Sequence, residues 1–256
     1  MTGIWPGDTR CVAMLTFDMD GQSATLNRNP DLESHPSIMS MGEFGPNVAV
    51  PRILNLLDDL DIKATFFIPG WIAERHEDTV RDVASRGHEI ANHGYQHEPP
   101  ATLSGDGEEG EVLDHGSEIL ERITGQRPLG YRSPSWELSA NSLDLLKERG
   151  FVYDSSLMGN DIPYFVDAKG GRMVELPVHW SLDDAPFYTY APVTGRTAPM
   201  STPPAVLEAW KWEFDGALRL NRSFMLTMHP HTSGRLARLV ALEKLVNYIS
   251  SFPGVE

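Results

Sequence analysis

The alternation of two hydrophobic periods along the whole chain restricts the fold more than any other feature of this sequence. Apolar runs of strand length are followed by stretches whose apolar residues recur at helical spacing. Strands are expected at Cys11–Phe17, Ala64–Ile68, His88–Ala91, around Tyr131, and at Phe151–Tyr153, Met173–Val178 and Ser223–Met228. Helices are expected at Val48–Leu60, Ile72–Ser85, Glu111–Ile123, Asn141–Arg149, Ala205–Leu220 and Leu236–Ser250. In the first of these, Ile53, Leu54, Leu57 and Leu60 share a face, and Gly87, Gly125 and Gly150 stand where helices end. About seven β-α units imply a parallel sheet with helical crossovers, open or closed into a barrel. No Pro/Ser-rich linker interrupts the pattern, so one domain spanning 1–256 is expected. The longest stretches without a clear period, Gln22–Asn47 and Tyr188–Pro204, are expected to be irregular and to act as lids or binding loops.

Composition narrows the function classes. Of 256 residues, 41% are hydrophobic and 22% charged, an ordinary globular balance. No run of 18 apolar residues exists, so no spanning helix is expected. The net charge is −15 and no Lys/Arg cluster appears, so neither a nucleic acid nor a membrane is expected as partner. Met1–Arg10 has no apolar core of signal-peptide length, which gives a cytoplasmic expectation. Cys11 is the only cysteine, so it forms no internal disulfide, and its apolar surroundings suggest a buried, structural side chain.

Nearly every expected strand ends in a cluster able to do chemistry. The first runs into Asp18-Met19-Asp20, the third into Asn92-His93-Gly94-Tyr95-Gln96-His97, and the fourth into Arg132-Ser133-Pro134-Ser135-Trp136. The next ends at Asp154-Ser155-Ser156 and the last at His229-Pro230-His231. In a barrel such ends converge on one face. Asp18, Asp20, His93 and His97 together suggest a metal site plus a base. Two imidazoles and one carboxylate leave a coordination position for water, the pattern of a catalytic zinc site. The competing account of the aspartates is a capped loop start. Arg132 is a candidate bidentate partner for a carboxylate or an ordinary loop arginine. Trp136 walls a pocket or merely packs, and Asp154 orients a histidine or caps a turn with Ser155. His229 and His231, two apart on an extended segment, point the same way, so one or both face the site.

In this order, from Thr16 to about Arg235, the clusters resemble the five motifs of the polysaccharide deacetylase superfamily (NodB homology, carbohydrate esterase family 4). The resemblance implies a distorted seven-stranded β/α barrel holding a divalent metal, usually zinc. It implies that Asp18 is the catalytic base, that Asp20, His93 and His97 bind the metal, and that Arg132 and Trp136 hold the base and shape the groove. By the same resemblance Asp154 tunes the catalytic histidine and His229 is the general acid. Two departures stand out. Met19 separates the aspartates, which are followed by Gly21-Gln22-Ser23, and the last motif extends into His229-Pro230-His231-Thr232-Ser233-Gly234-Arg235. With Gly42-Glu43-Phe44-Gly45, these look more like a branch containing cyclic imide hydrolases, allantoinase-like proteins and some peptidoglycan deacetylases. Glu43 and His231 thereby join Trp136 as candidate substrate-binding residues.

The expected activity is therefore metal-dependent hydrolysis of a non-peptide C–N bond, opening small cyclic imides or amides. The alternatives are de-N-acetylation of N-acetylglucosamine-containing glycans and an inactive binding barrel. The expected partners are a small molecule or short oligosaccharide, and relatives of this branch imply a homo-oligomer. Because Gln22–Asn47 carries apolar Ile38, Met39, Met41 and Phe44, it is expected to pack over the barrel mouth or a neighbouring subunit and to confine the pocket.

Overall fold

The run Val12–Asp18 is apolar almost throughout, as a strand covered on both faces requires, and it forms β1 near one edge of an eight-stranded sheet. The other strands are β2 Thr65–Ile68, β3 Glu89–Asn92, β4 Gly130–Tyr131, β5 Tyr153–Asp154, β6 Tyr164–Ala168, β7 Gly171–Glu175 and β8 Ser223–Met228. They lie in the order β6-β7-β5-β4-β3-β2-β1-β8, and every pairing is parallel except that of β6 with β7. This computed structural model describes residues 4–256, so residues 1–3 of the N-terminal stretch read for a leader lie outside it. Among the described residues no helix is long and apolar enough to cross a membrane.

The helices are α1 Ser23–Arg28, α2 Pro36–Phe44, α3 Val50–Asp59, α4 Gly70–Arg75, α5 Glu77–Ser85, α6 Asp106–Thr124, α7 Ser142–Glu148, α8 Ala185–Tyr188, α9 Pro203–Leu220, α10 Pro230–Ser233 and α11 Leu236–Ser250. The main core lies between sheet and helices. It contains Phe17 stacked on Phe66, with Ile53, Leu54 and Leu57 of α3 and Leu242, Leu245 and Ile249 of α11. Burying one such side chain contributes about 1.5–3 kcal/mol. Cys11 is buried in the same cluster, and burial pushes its thiol up to about 11, so it stays protonated.

The sheet curls. Beyond β7 the chain returns along the free edge of β8, where Asp183 bridges Thr227 in parallel and the Asp184 amide donates to the Thr227 carbonyl at 3.2 Å. The result is a half-barrel of eight strands. The strand beyond the expected seven is β6, an antiparallel partner of β7; its exposure alternates but its residues do not, because exposed Phe165 is as apolar as its half-buried neighbours Tyr164 and Val166.

Two expectations about local structure fail. The Ile72–Ser85 helix is two helices, because His76 leaves helical geometry between α4 and α5. Gln22–Asn47 is largely helical rather than irregular, with α1, a 3₁₀ turn over Pro30–Ser34, α2, and a π turn over Gly45–Ala49 leading into α3. Proline opens the turn and α2, where its missing N–H costs nothing, and the Asn29 side chain accepts from the Asp31 amide at 3.1 Å. These pieces are too short for a readable period.

Candidate active site

Strand register sets the site. β1 runs beside β8 from Val12↔Ser223 to Phe17↔Met228, so Asp18 and His229 emerge next to each other. Tyr131 pairs with Asn92 on one side and Asp154 on the other, so Arg132 emerges between His93 and Ser155. All of these residues leave the C-terminal edge of the sheet.

Arg132 is fully buried, and its partners account for that. Nη1 donates to Asp18 Oδ1 at 2.7 Å and to Thr16 Oγ1 at 2.9 Å, while Nε and Nη2 donate to the Ser155 carbonyl and hydroxyl at 3.1 and 2.9 Å. Its guanidinium lies 4.0 Å from the Phe67 ring centroid. A charge taken this far from water must be paired and hydrogen-bonded, and this one is. Asp18 uses Oδ1 on the arginine, and its Oδ2 lies 4.0 Å from His93 Nε2. Between Asp18 and Asp20, Met19 is buried in the core, so both carboxylates face away from it.

Asp20, His93 and His97 form the second group. Asp20 Oδ1 lies 3.4 Å from His93 Nε2 and Asp20 Oδ2 lies 3.4 Å from His97 Nε2, and ligand atoms of all three fall within 4.8 Å of one another. His93 Nδ1 is 2.6 Å from the Arg132 carbonyl, which can only accept; Nδ1 therefore carries the proton, and a neutral ring keeps its Nε2 lone pair for a cation. Asp20 Oδ1 is buried with no hydrogen-bond partner among the described residues. Burial disfavours charge on Asp20, but the charge of His97 and the close approach of both imidazoles outweigh it and hold the carboxyl well below its usual range. An orphaned carboxylate oxygen facing two imidazole nitrogens fits a divalent cation.

The opposite wall holds His229. Its Nδ1 is 2.7 Å from Asp184 Oδ1, its amide donates to Asp184 Oδ2 at 2.9 Å, and its Nε2 faces Asp20 Oδ2 at 3.7 Å. Asp183 lies 3.7 Å from the same Nδ1. Burial alone would lower this imidazole, but the charges of Asp184 and Asp183 prevail and raise it well above the ordinary histidine value. His231 behaves oppositely. It is half-buried, its Nδ1 is enclosed and has no hydrogen-bond partner among the described residues, and desolvation and then the His229 charge bring it down to about 4. The paired aspartates were missed from sequence because they sit in the segment after β7, in no strand and at no telling spacing from His229.

Two expected site residues stand elsewhere. Asp154 does not touch His229. Its Oδ1 accepts from Ser156 at 2.8 Å, and its carboxyl pairs with that of Glu175 on the neighbouring strand. Asp184 is the aspartate that orients His229. Glu43 is exposed on α2 and lines no part of the site. The glycines around it are the close contacts: a Cβ on Gly42 would lie 2.7 Å from the Gln22 amide nitrogen, and one on Gly45 would lie 3.3 Å from His231 Cβ. The stretch thus lies directly against the first and last clusters, and its glutamate points out.

These groups share a cavity of about 500 Å³, a size that suits a small molecule. One wall comes from α1 and α2 with Arg28, Leu32, Ile38 and Met41, and the other from residues 180–196 with Trp180, Ala191, Val193 and Arg196. The packing expected of Gln22–Asn47 over the barrel mouth is therefore present. Trp136 lines the floor against Trp180, ring centroids 4.2 Å apart. His97, Ser135 and Trp136 all have left-handed backbone, an uncommon conformation that turns these side chains toward the cavity.

With that geometry in place, comparison with known proteins is informative. Residues 31–153 match the family described as polysaccharide deacetylase. A peptidoglycan deacetylase of Helicobacter pylori is 32% identical over 249 residues, 87% of this chain and 85% of that protein. The crystal structure of a Mycobacterium smegmatis protein, described as a candidate polysaccharide deacetylase, superposes with a TM-score of 0.95 at 39% identity, over 98% of this chain and 87% of that one. That of the PuuE allantoinase superposes with a TM-score of 0.83 at 25% identity, over 98% and 88%.

Proposed function

The chain belongs to the polysaccharide deacetylase family and is a hydrolase of carbon–nitrogen bonds other than peptide bonds, and from that premise we propose that it acts on small amides, opening cyclic imides, amides or ureides. The observation that carries this reading is the cavity of about 500 Å³, walled on both sides by long inserted segments. A ring held between Trp136 and the opposite wall is fixed in position and shielded from bulk water, both of which favour attack on its carbonyl. The structural likeness to an allantoinase supports the same substrate class.

Asp20, His93 and His97 would hold a divalent cation, zinc by the chemistry of two imidazoles and a carboxylate, and it would supply Lewis acidity toward a carbonyl oxygen and a more acidic water. Asp18, positioned by Arg132, takes the proton of the attacking water on its free oxygen. His229, held protonated by Asp184 and Asp183, donates from Nε2 to the departing nitrogen, a step worth about 10²–10⁴ in rate. His231, which burial keeps neutral, lines the ring site and is a poor proton donor at pH 7.

De-N-acetylation of an N-acetylated sugar is the second reading, favoured by the Helicobacter pylori relative that aligns over most of the chain. The two separate by assay on the zinc-loaded protein. Opening of succinimide or hydantoin rings is expected; acetate release from chito-oligosaccharides with both rings untouched would replace the first reading with the second.

A further inference from the structure

Two arginines sit on the cavity where the chemistry described above has no use for them. Arg28 is the last residue of α1, and Arg196 lies beyond the Pro192–Thr194 turn on the opposing wall. Both line the cavity that contains Asp20, His93 and His97. The chain has 21 Lys and Arg against 36 Asp and Glu, and among the described residues Arg28 and Arg196 are the two of these cations that line this cavity. Neither guanidinium makes an ion pair or a side-chain hydrogen bond among the described residues. Partial desolvation and then the charge of Arg28 lower Arg196, so the two guanidinium charges interact, and among the described residues no acid pairs with either. Two like charges converging on a pocket without a counter-ion raise the energy of the empty protein. An anionic ligand removes that cost. The guanidinium fork matches carboxylate or phosphate oxygens, and polar Thr25, Asn29 and Thr194 line the same cavity.

We propose that Arg28 and Arg196 form an oxyanion subsite, and that the substrate carries a carboxylate or phosphate remote from the amide bond that is cut. This rests on the small-molecule reading above and narrows it. One end of the substrate meets the Asp20, His93 and His97 group, and the anionic end is clamped between the two walls. Because both arginines are largely exposed, the clamp is open to screening and weakens as salt rises.

Calorimetric binding to the zinc-loaded Asp18→Asn chain tests this without turnover. Two ligand pairs serve: hydantoin against hydantoin-5-acetic acid, and N-acetylglucosamine against its 6-phosphate. In at least one pair the anionic member should bind about tenfold tighter or more, the effect of one charge-assisted hydrogen bond. Arg28→Gln and Arg196→Gln should each remove most of that preference, and Arg196→Lys should keep part of it. The pair showing the preference identifies carboxylate or phosphate. Equal affinities within both pairs, or a preference that survives both glutamine variants, would overturn the subsite. Failure of either ring to open in the separate turnover assay would sink the proposed activity and leave this affinity ratio still decisive.

Discussion

The two halves of the cavity are built on different principles. The sheet side is rigid. Arg132 is fully buried, each of its nitrogens is engaged, and Asp18, Asp20 and His93 are buried around it. The wall side is made of short helices and turns with exposed side chains, Trp180 at 46% and Val193 at 57%. Groups that must hold an angstrom-scale geometry sit on strand ends, and groups that choose the substrate sit on connecting segments. Similar proteins range from a peptidoglycan deacetylase to an allantoinase, and the exposed wall side is the half that can change without disturbing the buried pairs.

If that division is right, damage on the sheet side should cost chemistry or folding, and damage on the wall side should cost binding. Asp18→Asn should have the largest kinetic effect, lowering kcat by about 10³ or more in a ring-opening assay while the protein stays folded. Arg132→Ala should be the most destabilising single change. It strands a buried carboxylate and should cost about 3–5 kcal/mol in denaturant unfolding. Near-wild-type stability in that variant would mean the Asp18–Arg132 pair is not the rigid element.

Asp184→Asn comes next. It removes the charge that raises His229 and replaces one of the two acceptors that hold its ring and amide with a donor, so kcat should fall by about 10²–10³ with a smaller change in KM. An equal loss in Asp154→Asn would restore the role expected from sequence.

Glu175 gives a subtler effect. Burial, and then the charge of Asp154, push it up to about 10 from an ordinary value of 4.5. A raised folded-state value means that between these limits the native state holds a proton the unfolded chain has lost. Stability is therefore full below about 4.5 and falls as pH rises toward about 10. Glu175→Gln should flatten that decline, as read by thermal unfolding across the range. An unchanged slope would show that the carboxyl pair shares no proton. The smallest effect should come from the wall: Trp180→Ala should raise KM several-fold and change kcat less. A kcat effect as large as that of Asp184→Asn would erase the distinction between the halves.

The same contrast explains what was legible in the sequence. Buried parallel strands leave unbroken apolar runs, so Ser223–Met228 and the polar residues just beyond each strand could be placed directly. Arg132 could be paired with a carboxylate from its chemistry, and the strand register then decided which one. The wall was not legible. The helices within Gln22–Asn47 are too short for a period, and Asp184 reaches His229 through a bridge to β8 that no local pattern announces. Asp154 escaped for the same reason: it ends a strand, as Asp18, His93 and His229 nearly do, but its side chain pairs with Glu175 on the adjacent strand.

The most direct test of the account is the metal content of three purified proteins, measured by elemental analysis after zinc loading and dialysis. Wild type and Asp18→Asn should each hold about one zinc per chain, and Asp20→Asn should hold close to none, because the orphaned oxygen beside His93 belongs to Asp20 while Asp18 is committed to Arg132. Zinc retained in Asp20→Asn, or lost from Asp18→Asn, would contradict it.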